Sequence, residues 1–193
     1  MSSNIIHPTA DVHSAAIVGN GTRIWNYAQV REDAHIGSEC IIGKNVYIDF
    51  GVQIGNRVKV QNNVSIYHGV TIGEGVFIGP HVCFCNDVLP RAVTPEGELK
   101  GNDDWILGTI LVKNGASIGA GSIILPNIVI GSFALIGAGS VVTHSVPDNG
   151  LVYGNPARLT GYACACAHRL VENHVSHEWQ CPSCNRVYTF TQE

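Results

Sequence analysis

Isoleucine and valine recur at every sixth position along most of the chain. This first series comprises Ile6, Val12, Val18, Ile24, Val30, Ile36, Ile42, Ile48, Ile54, Val60, Ile66, Ile72 and Ile78, and Phe84 follows in phase. A second series, four residues later, comprises Ala10, Ala16, Thr22, Ala28, Ala34, Cys40, Val46, Val52, Val58, Val64, Val70, Val76 and Val82. A period of six fits neither an amphipathic helix nor a simple alternating strand. It predicts short strands joined by corners.

The pattern breaks after Phe84 and is predicted to resume at Ile106. The later positions are Ile106, Val112, Ile118, Ile124, Ile130, Ile136 and Val142, with Ile110, Ala116, Ser122, Ile128, Ala134 and Ser140 in the second series. Three six-residue sides would close one 18-residue coil. Successive coils would stack as parallel strands ~4.7–4.9 Å apart and bury both series. We therefore predict an all-β parallel β-helix with a continuous aliphatic interior.

Residues 85–105 form a predicted excursion from this helix. The step from Phe84 to Ile106 is 22 residues where one repeat needs six, so sixteen residues are expected to leave the coil. An insertion of this length is usually functional or disordered. Turn-forming residues at its start and Trp105 at its end favour an ordered loop tethered at both ends. We predict that it folds over a neighbouring surface.

Composition narrows the possible functions. Of the 193 residues, 45% are hydrophobic and only 13% are charged, which is enough apolar material for a core. The net charge of −4 argues against a general nucleic-acid binder. The chain shows no signal peptide, and no apolar run approaches the ~18 residues of a membrane span. With seven cysteines, we predict a cytoplasmic protein without membrane association.

The segment VQNNVSIYHGVTIGEGVFIGPHVCFCNDVLPRA at 60–92 and the segment KGNDDW at 100–105 carry a resemblance to a known family. With the repeat over roughly residues 5–158, the chain resembles the left-handed β-helix nucleotide-sugar N-acetyltransferases. The most similar subgroup acetylates the 3-amino group of UDP-2-acetamido-3-amino-2,3-dideoxy-glucuronate for surface-polysaccharide synthesis. The left hand is implied by this resemblance, since ordinary crossovers are right-handed. The resemblance also implies a homotrimer with acetyl-CoA and the sugar between subunits.

The family motif Asn-Asp-x-x-Pro-Arg is matched by Asn86, Asp87, Pro90 and Arg91, whereas most relatives carry threonine in place of Cys85. The amine must be neutral to attack a thioester. Asn86 is expected to hold it, and Asp87 or His68 to accept its proton. A backbone N–H at a corner would stabilise the oxyanion. Polar loop residues are otherwise turn formers, and surface histidines are usually only solvated.

Other residues are assigned to substrate and coenzyme binding. Arg91 suits a carboxylate or a diphosphate because its planar fork pairs with either. The further candidates for the nucleotide sugar are His81, Asn63, Tyr67, Arg31 and Lys59. The resemblance places coenzyme A along the C-terminal coils, against Ala120 and Ala138, with Arg158 of GNPARLTG reaching its phosphates.

The composition changes after Gly161, where Cys164, Cys166, Cys181 and Cys184 form a C-x-C and a C-x-x-C pair. Paired thiolates at this spacing suit a structural Zn²⁺ site of ribbon type. His168, His174 or His177 could replace one ligand, and metal-free packing or disulfides are the alternatives. We predict an acetyltransferase domain at 1–158 and a cysteine-rich segment at 159–193.

Competing functions remain on the same fold. A γ-class carbonic anhydrase is disfavoured because the chain has no H-x4-H pair and the excursion contains no histidine. A sugar O-acetyltransferase, with His68 as its imidazole base, and a dTDP-3-amino-hexose N-acetyltransferase are enzymatic alternatives. A purely structural solenoid is the non-enzymatic one, and it predicts no binding of acetyl-CoA.

Overall fold

Short β-strands, numbered here in chain order, make up most of the chain in the computed structural model, which describes residues 3–173 and 177–190. Three sheets form the sides of a prism. Sheet A contains β1 (Ile5–Ile6), β4 (Arg23–Ile24), β7 (Ile41–Ile42), β10 (Lys59–Val60), β13 (Phe77–Ile78), β16 (Ser117–Ile118), β19 (Leu135–Ile136), β21 (Gly150–Gly154) and β22 (Ala157–Tyr162). Sheet B contains β2 (Asp11–Val12), β5 (Gln29–Val30), β8 (Tyr47–Ile48), β11 (Ser65–Ile66), β14 (Cys83–Phe84), β17 (Ile123–Ile124) and β20 (Val141–Val142).

Sheet C completes the prism with β3 (Ile17–Val18), β6 (His35–Ile36), β9 (Gln53–Ile54), β12 (Val70–Ile72), β15 (Ile110–Val112) and β18 (Ile128–Ile130). Consecutive strands belong to different sheets, and each strand pairs in parallel with the strand one coil away. Ile66, for example, pairs with Ile48, which lies 18 residues earlier. This register is the one that the six-residue period predicts. The predicted fold class, a left-handed parallel β-helix of hexapeptide repeats, is confirmed.

The interior consists of the two predicted series. From Ile24 to Phe84 every member of the first series is buried, because the inward residue of each strand stacks on the residue one coil away. Polar members are satisfied internally: Thr22 Oγ1 donates to the Gly37 carbonyl at 2.8 Å, and Ser122 Oγ donates to the Gly137 carbonyl at 3.1 Å. Ile6 is exposed, since the first coil has no coil beneath it.

The excursion is longer than predicted. Thr71 pairs with Gln53, 18 positions earlier, and with Leu111, 40 positions later, so 22 residues are inserted rather than sixteen. Ile106 is 56% exposed, and the prediction that the pattern resumes there is wrong. The inward pattern resumes at Ile110, which is buried. The reason is that Ile106 still belongs to the base of the excursion.

A clamp closes the base of the excursion. Asp87 and Leu107 form an antiparallel bridge, and the Gly108 N–H donates to the Asn86 carbonyl at 2.7 Å. A second bridge joins Val93 and Leu99 nearer the tip. The insertion therefore leaves the coil as an ordered hairpin-like segment. Its Leu99 side chain is 82% exposed, so the tip does not pack on its own coil.

The C-terminal segment continues from the prism. β22 pairs antiparallel with β21, and the proposed domain boundary between 158 and 159 falls within β22. A three-stranded antiparallel sheet follows, with β23 (Val171–Asn173), β24 (Glu178–Gln180) and β25 (Val187–Tyr188). It has its own hydrophobic cluster, separate from the aliphatic interior. No helix in the described part of the chain is long and apolar enough to cross a membrane.

Candidate functional site

One corner of the prism, between sheets B and C, carries a column of polar and aromatic side chains. Glu32, Phe50, His68 and Asn86 lie at intervals of 18 residues, so each occupies the same place on successive coils. The excursion begins directly above this column, at Asn86. We call Glu32, Phe50, His68 and Asn86 the corner column. It brings two of the three predicted catalytic residues, His68 and Asn86, to adjacent coils.

The His68 ring is held in one orientation. It stacks on the Phe50 ring, with centroids 4.0 Å apart and an interplanar angle of 13°. Its Nδ1 lies 2.9 Å from the Phe50 carbonyl oxygen. A carbonyl can only accept, so Nδ1 carries the hydrogen and Nε2 of the neutral ring keeps its lone pair. Among the described residues none hydrogen-bonds to Nε2, which leaves this nitrogen available as a proton acceptor.

Asn86 and Asp87 shape the start of the excursion. The Asn86 side-chain amide donates to the His68 carbonyl oxygen at 3.2 Å, and the Asp87 carboxylate accepts from the Leu89 N–H at 3.0 Å. The second contact is an Asx turn, which is the usual structural role of aspartate in a loop. Asn86 thus fixes the excursion to the coil that bears His68, and Asp87 fixes its first turn.

Asp49 is a buried part of this corner that the sequence analysis missed. It is 7% exposed, and its carboxylate accepts from the Tyr47 hydroxyl at 2.9 Å, from its neighbour's N–H (Phe50) at 2.9 Å and from the His68 N–H at 3.2 Å. A carboxylate with several donors can remain charged and buried. Asp49 therefore ties together the main chain of the two coils that carry Phe50 and His68. The available signal was the interval of 18 between Arg31, Asp49 and positions 67 and 85.

Arg31 is engaged by carboxylates. Its guanidinium donates to both Glu32 oxygens, at 2.6 and 3.0 Å, and lies 3.5 Å from Asp49 Oδ1. The hydrogen bond to Glu32 and a further one to Tyr47 raise the pKa of Arg31, and the same ion pair lowers the pKa of Glu32. The guanidinium also lies over the Phe50 ring, 5.7 Å from its centroid. In this chain Arg31 supports the corner, and its predicted role in binding a diphosphate stays a prediction.

The other predicted substrate residues divide between different parts of the surface. Tyr67 lies at the B–C corner, where its ring is 5.7 Å from that of Tyr47. Asn63 and His81 lie at the opposite edge of sheet B, where Asn63 Nδ2 is 3.4 Å from His81 Nε2. Lys59 points outward from sheet A. A single chain therefore does not bring His68 and His81 together.

Arg91 lies within the excursion. Its guanidinium donates to the Pro90 carbonyl oxygen at 3.0 Å, and the side chain is exposed. This local contact leaves most of its donors free of protein carboxylates. Arg91 thus retains the capacity to bind an anionic ligand that the sequence analysis assigned to it.

The predicted coenzyme residues lie on the later coils. Ala120 and Ala138 stack on one another at the corner between sheets A and B, where a side chain on Gly79 or Gly119 would collide with their backbone. Arg158 lines a groove of about 290 Å³ at the last coil, together with His144, Pro147 and Leu159. The two alanines and Arg158 therefore belong to the same end of the prism but not to one pocket.

The four predicted metal ligands are brought together. The sulfur atoms of Cys164, Cys166, Cys181 and Cys184 all lie within 4.8 Å of one another. Four thiol sulfurs are a donor set that Zn²⁺ prefers, and this spacing fits a tetrahedral ion. Of the alternative histidine ligands, His168 Nδ1 lies 3.5 Å from the Cys166 sulfur and His177 faces Glu172 at 4.0 Å. His174 lies outside the described residues.

Cys85 adjoins the corner column and differs from the other thiols. A hydrogen bond with Cys83 lowers the pKa of Cys85 to about 7 and raises that of Cys83. Cys85 should therefore become a thiolate, the form that reacts with iodoacetamide, as the pH rises through about 7. We expect its alkylation rate to increase steeply between about pH 6 and 8, well ahead of buried Cys40, whose pKa burial raises. Peptide mass spectrometry after timed labelling measures both rates.

The variant Cys83→Ala provides the control, because it removes the hydrogen-bond partner of Cys85. The midpoint of Cys85 labelling should then move upward, toward the ordinary thiol value of 9.0. Labelling that is independent of pH, or a midpoint that the substitution leaves in place, would contradict the assigned interaction.

Two repeat families match this chain. The bacterial transferase hexapeptide model, of six repeats, matches residues 2–49 and 51–86. The hexapeptide repeat of succinyl-transferase matches residues 113–144. The unmatched interval between them contains the excursion. These matched ranges coincide with the coils of the prism on both sides of the insertion.

A curated relative and two solved structures are similar to the chain. The relative is the dTDP-3-amino-3,6-dideoxy-alpha-D-galactopyranose 3-N-acetyltransferase of Aneurinibacillus thermoaerophilus, 42% identical over 83 residues, which are 43% of this chain and 42% of that protein. AntD, an N-acyltransferase from Bacillus cereus in complex with dTDP and 3-hydroxybutyryl-CoA, superposes with a TM-score of 0.51 at 23% identity, over 82% of this chain and 79% of AntD.

The acetyltransferase domain of PglB from Neisseria gonorrhoeae superposes with a TM-score of 0.50 at 20% identity, over 81% of this chain and 57% of that chain. At these identities the two structures support the fold. The chain spans less than half of the curated relative's length. The repeat matches and the observed coils agree along the prism, and the chain belongs to the bacterial transferase hexapeptide-repeat family.

Proposed function

We propose that this protein is an acetyl-CoA-dependent N-acetyltransferase that acylates the amino group of a nucleotide-linked amino sugar. The observation that carries the proposal is the fixed His68 ring at the base of the excursion. Its Nδ1 is committed to the Phe50 carbonyl at 2.9 Å, and its Nε2 is available to accept a proton. An available imidazole is the group that an amine needs in order to lose a proton during acyl transfer.

The chemistry follows from this orientation. The neutral amine of the sugar attacks the thioester carbonyl carbon, and His68 Nε2 accepts a proton from the nitrogen as the N–C bond forms. The C–S bond then breaks, and the imidazolium returns the proton to the departing thiolate. Asn86 anchors the excursion to this coil, and the rigid prism limits the motion of both partners. Holding amine and thioester in contact supplies much of the rate acceleration.

The acceptor is proposed to be a 3-amino sugar linked to dTDP or UDP. The curated relative acts on a dTDP-3-amino sugar, and this supports the dTDP alternative. The UDP-2-acetamido-3-amino-glucuronate acceptor rests on the resemblance of the Asn86–Arg91 segment alone. Exposed Arg91 suits either a diphosphate or a sugar carboxylate. In both cases the product would serve surface-polysaccharide synthesis in the cytoplasm.

The distribution of the predicted residues supports a homotrimer with sites between subunits. His68, Asn86 and Tyr67 lie at the B–C corner, whereas the Ala120 corner lies at the other edge of sheet B. One chain cannot place both edges around one substrate, but a neighbouring copy can supply the second edge. The exposed apolar tip of the excursion is suited to pack on such a neighbour. Coenzyme A would then run along the later coils toward Arg158.

An acceptor panel tests the proposal. The protein is incubated with acetyl-CoA and dTDP- or UDP-linked 3-amino and 4-amino sugars, matched by the corresponding hydroxyl sugars. We expect release of free coenzyme A thiol and a new amide in the product with at least one 3-amino sugar. Transfer to hydroxyl sugars alone would replace the proposal with O-acetylation. Absence of transfer and of acetyl-CoA binding would favour a structural solenoid.

A further inference from the structure

The four clustered cysteines lie outside the corner column, in a segment that the proposed acyl transfer does not use. Their sulfur atoms are separated by 3.4 Å (Cys164–Cys184), 3.5 Å (Cys166–Cys181) and 3.6 Å (Cys166–Cys184). A tetrahedral zinc ion with Zn–S bonds of about 2.3 Å spaces its sulfurs by about 3.8 Å, whereas a disulfide requires about 2.05 Å. The cluster thus has the dimensions of a metal site.

Two turns of similar construction present these sulfurs. In the first, the Cys164 N–H donates to the His168 carbonyl at 2.8 Å and the Ala167 N–H donates back to Cys164 at 2.7 Å. In the second, the Cys181 N–H donates to the Arg186 carbonyl at 2.9 Å and the Asn185 N–H donates back to Cys181 at 3.0 Å. Each turn therefore closes on its own first cysteine.

The backbone of both turns is arranged to face sulfur. Ala167 and Asn185 have positive φ angles of 69° and 59°, which curl the chain around the preceding thiol. Backbone amides hydrogen-bond to the sulfurs of Cys164 and Cys181, one from Cys166 in the first turn and two from residues 183 and 184 in the second. Amide donors directed at sulfur stabilise a thiolate, which is the form that binds metal.

Tyr188 provides an outer contact for one sulfur. Its hydroxyl accepts from the Ala165 N–H at 3.1 Å and lies 3.2 Å from the Cys164 sulfur. Because the Ala165 amide can only donate, the tyrosine O–H is free to donate to Cys164. An oriented hydrogen bond to a ligating atom is the usual second layer of a metal site.

The segment also needs a metal for its stability. Its hydrophobic cluster has three buried members, Cys164, Leu170 and Cys181, and only partly buried aromatic residues pack around them. Two of the three are thus the cysteines themselves. A core this small cannot offset the entropy of ordering the chain without a cross-link or an ion.

We propose that the four thiolates bind one structural Zn²⁺ ion that joins the two turns and holds the C-terminal segment against the prism. The contact is direct, because the Cys164 turn borders Phe133 and Leu135 on the last coils, where the Phe133 ring packs over Gly115. With four thiolate ligands the coordination shell is closed, so the ion has a structural rather than a catalytic role.

Metal content and thiol titration of the purified full chain test the site. We expect one zinc per chain by elemental analysis, and replacement by Co²⁺ should give the visible absorption of tetrahedral cobalt thiolate. Denaturation with EDTA but without reductant should make all seven thiols titratable. Titration of only three thiols would show two disulfides and overturn the proposal, as would seven free thiols without bound metal.

Matched variants separate ligands from other cysteines. Cys181→Ser should lose the ion, whereas Cys83→Ser, outside the cluster, should retain one per chain. Tyr188→Phe keeps all four ligands and should weaken zinc binding by about 10- to 100-fold in competition with a chelator. Retention of zinc by Cys181→Ser, or unchanged affinity in Tyr188→Phe, would contradict the proposed ligand set or its outer contact. None of these readouts depends on acyl transfer.

Discussion

Replacement of His68 by asparagine should lower the turnover number by about 10²- to 10⁴-fold, the range that general base catalysis contributes. The reason is that the variant removes Nε2, the nitrogen left free when Nδ1 binds the Phe50 carbonyl. The KM for acetyl-CoA should change little, because His68 is assigned to proton transfer and not to coenzyme binding. Steady-state kinetics with the best acceptor of the panel measure both constants.

The matched control is His35→Gln. His35 is an exposed outward residue of β6 that pairs with Gln53 on the next coil, so glutamine is compatible with that position. Its turnover should stay within about threefold of the unchanged protein. If His68→Asn also stays within about tenfold, the amine reacts without this base and the assigned mechanism is wrong.

Deletion of residues 87–108 should abolish most of the activity while preserving the prism. This removes the 22 inserted residues and leaves the segment Phe84-Cys85-Asn86-Thr109-Ile110-Leu111-Val112, the same length as Ile66–Ile72 one coil earlier. Strand register and the contact between Asn86 and His68 can therefore be kept. Without the excursion the acceptor is no longer positioned, and we expect kcat/KM to fall by at least about 10²-fold.

Circular dichroism and size-exclusion chromatography check that the deletion variant is folded. The variant Arg91→Ala keeps the excursion intact, and it should raise the KM of the nucleotide sugar by about 10- to 100-fold through loss of charge-assisted hydrogen bonds. A folded deletion variant with unchanged kcat/KM would refute the role of the excursion. If the deletion variant does not fold, an unchanged KM in Arg91→Ala would refute it instead.

The fold was predictable from the sequence because a period of six constrains every coil. One inward residue per strand and one per corner determine the register, and the buried run from Ile24 to Phe84 confirms it. The length of the insertion was misjudged because Ile106 has the residue type and spacing of an inward position. Only its antiparallel pairing at the base of the excursion, where its carbonyl accepts from Val88, excludes it from the core.

The candidate site was less predictable. Sequence motifs identify His68 and Asn86, but the buried carboxylate of Asp49 and the stacked ring of Phe50 have no motif of their own. Their roles follow from coil geometry, which places residues 18 apart in contact. That interval also explains why Asn63 and His81 interact with each other at the far edge of sheet B. Contacts supplied by a second subunit leave no such signal within one chain.

The central claim is that His68 Nε2 accepts the proton of the acceptor amine. A crystal structure of the protein with coenzyme A and a nucleotide-linked amino sugar tests it most directly. The account predicts that the amino nitrogen lies within hydrogen-bonding reach of His68 Nε2, at about 2.6–3.2 Å or through one water, beside Asn86. An amino nitrogen bound at another corner of the prism, with His68 remote from both ligands, would contradict it.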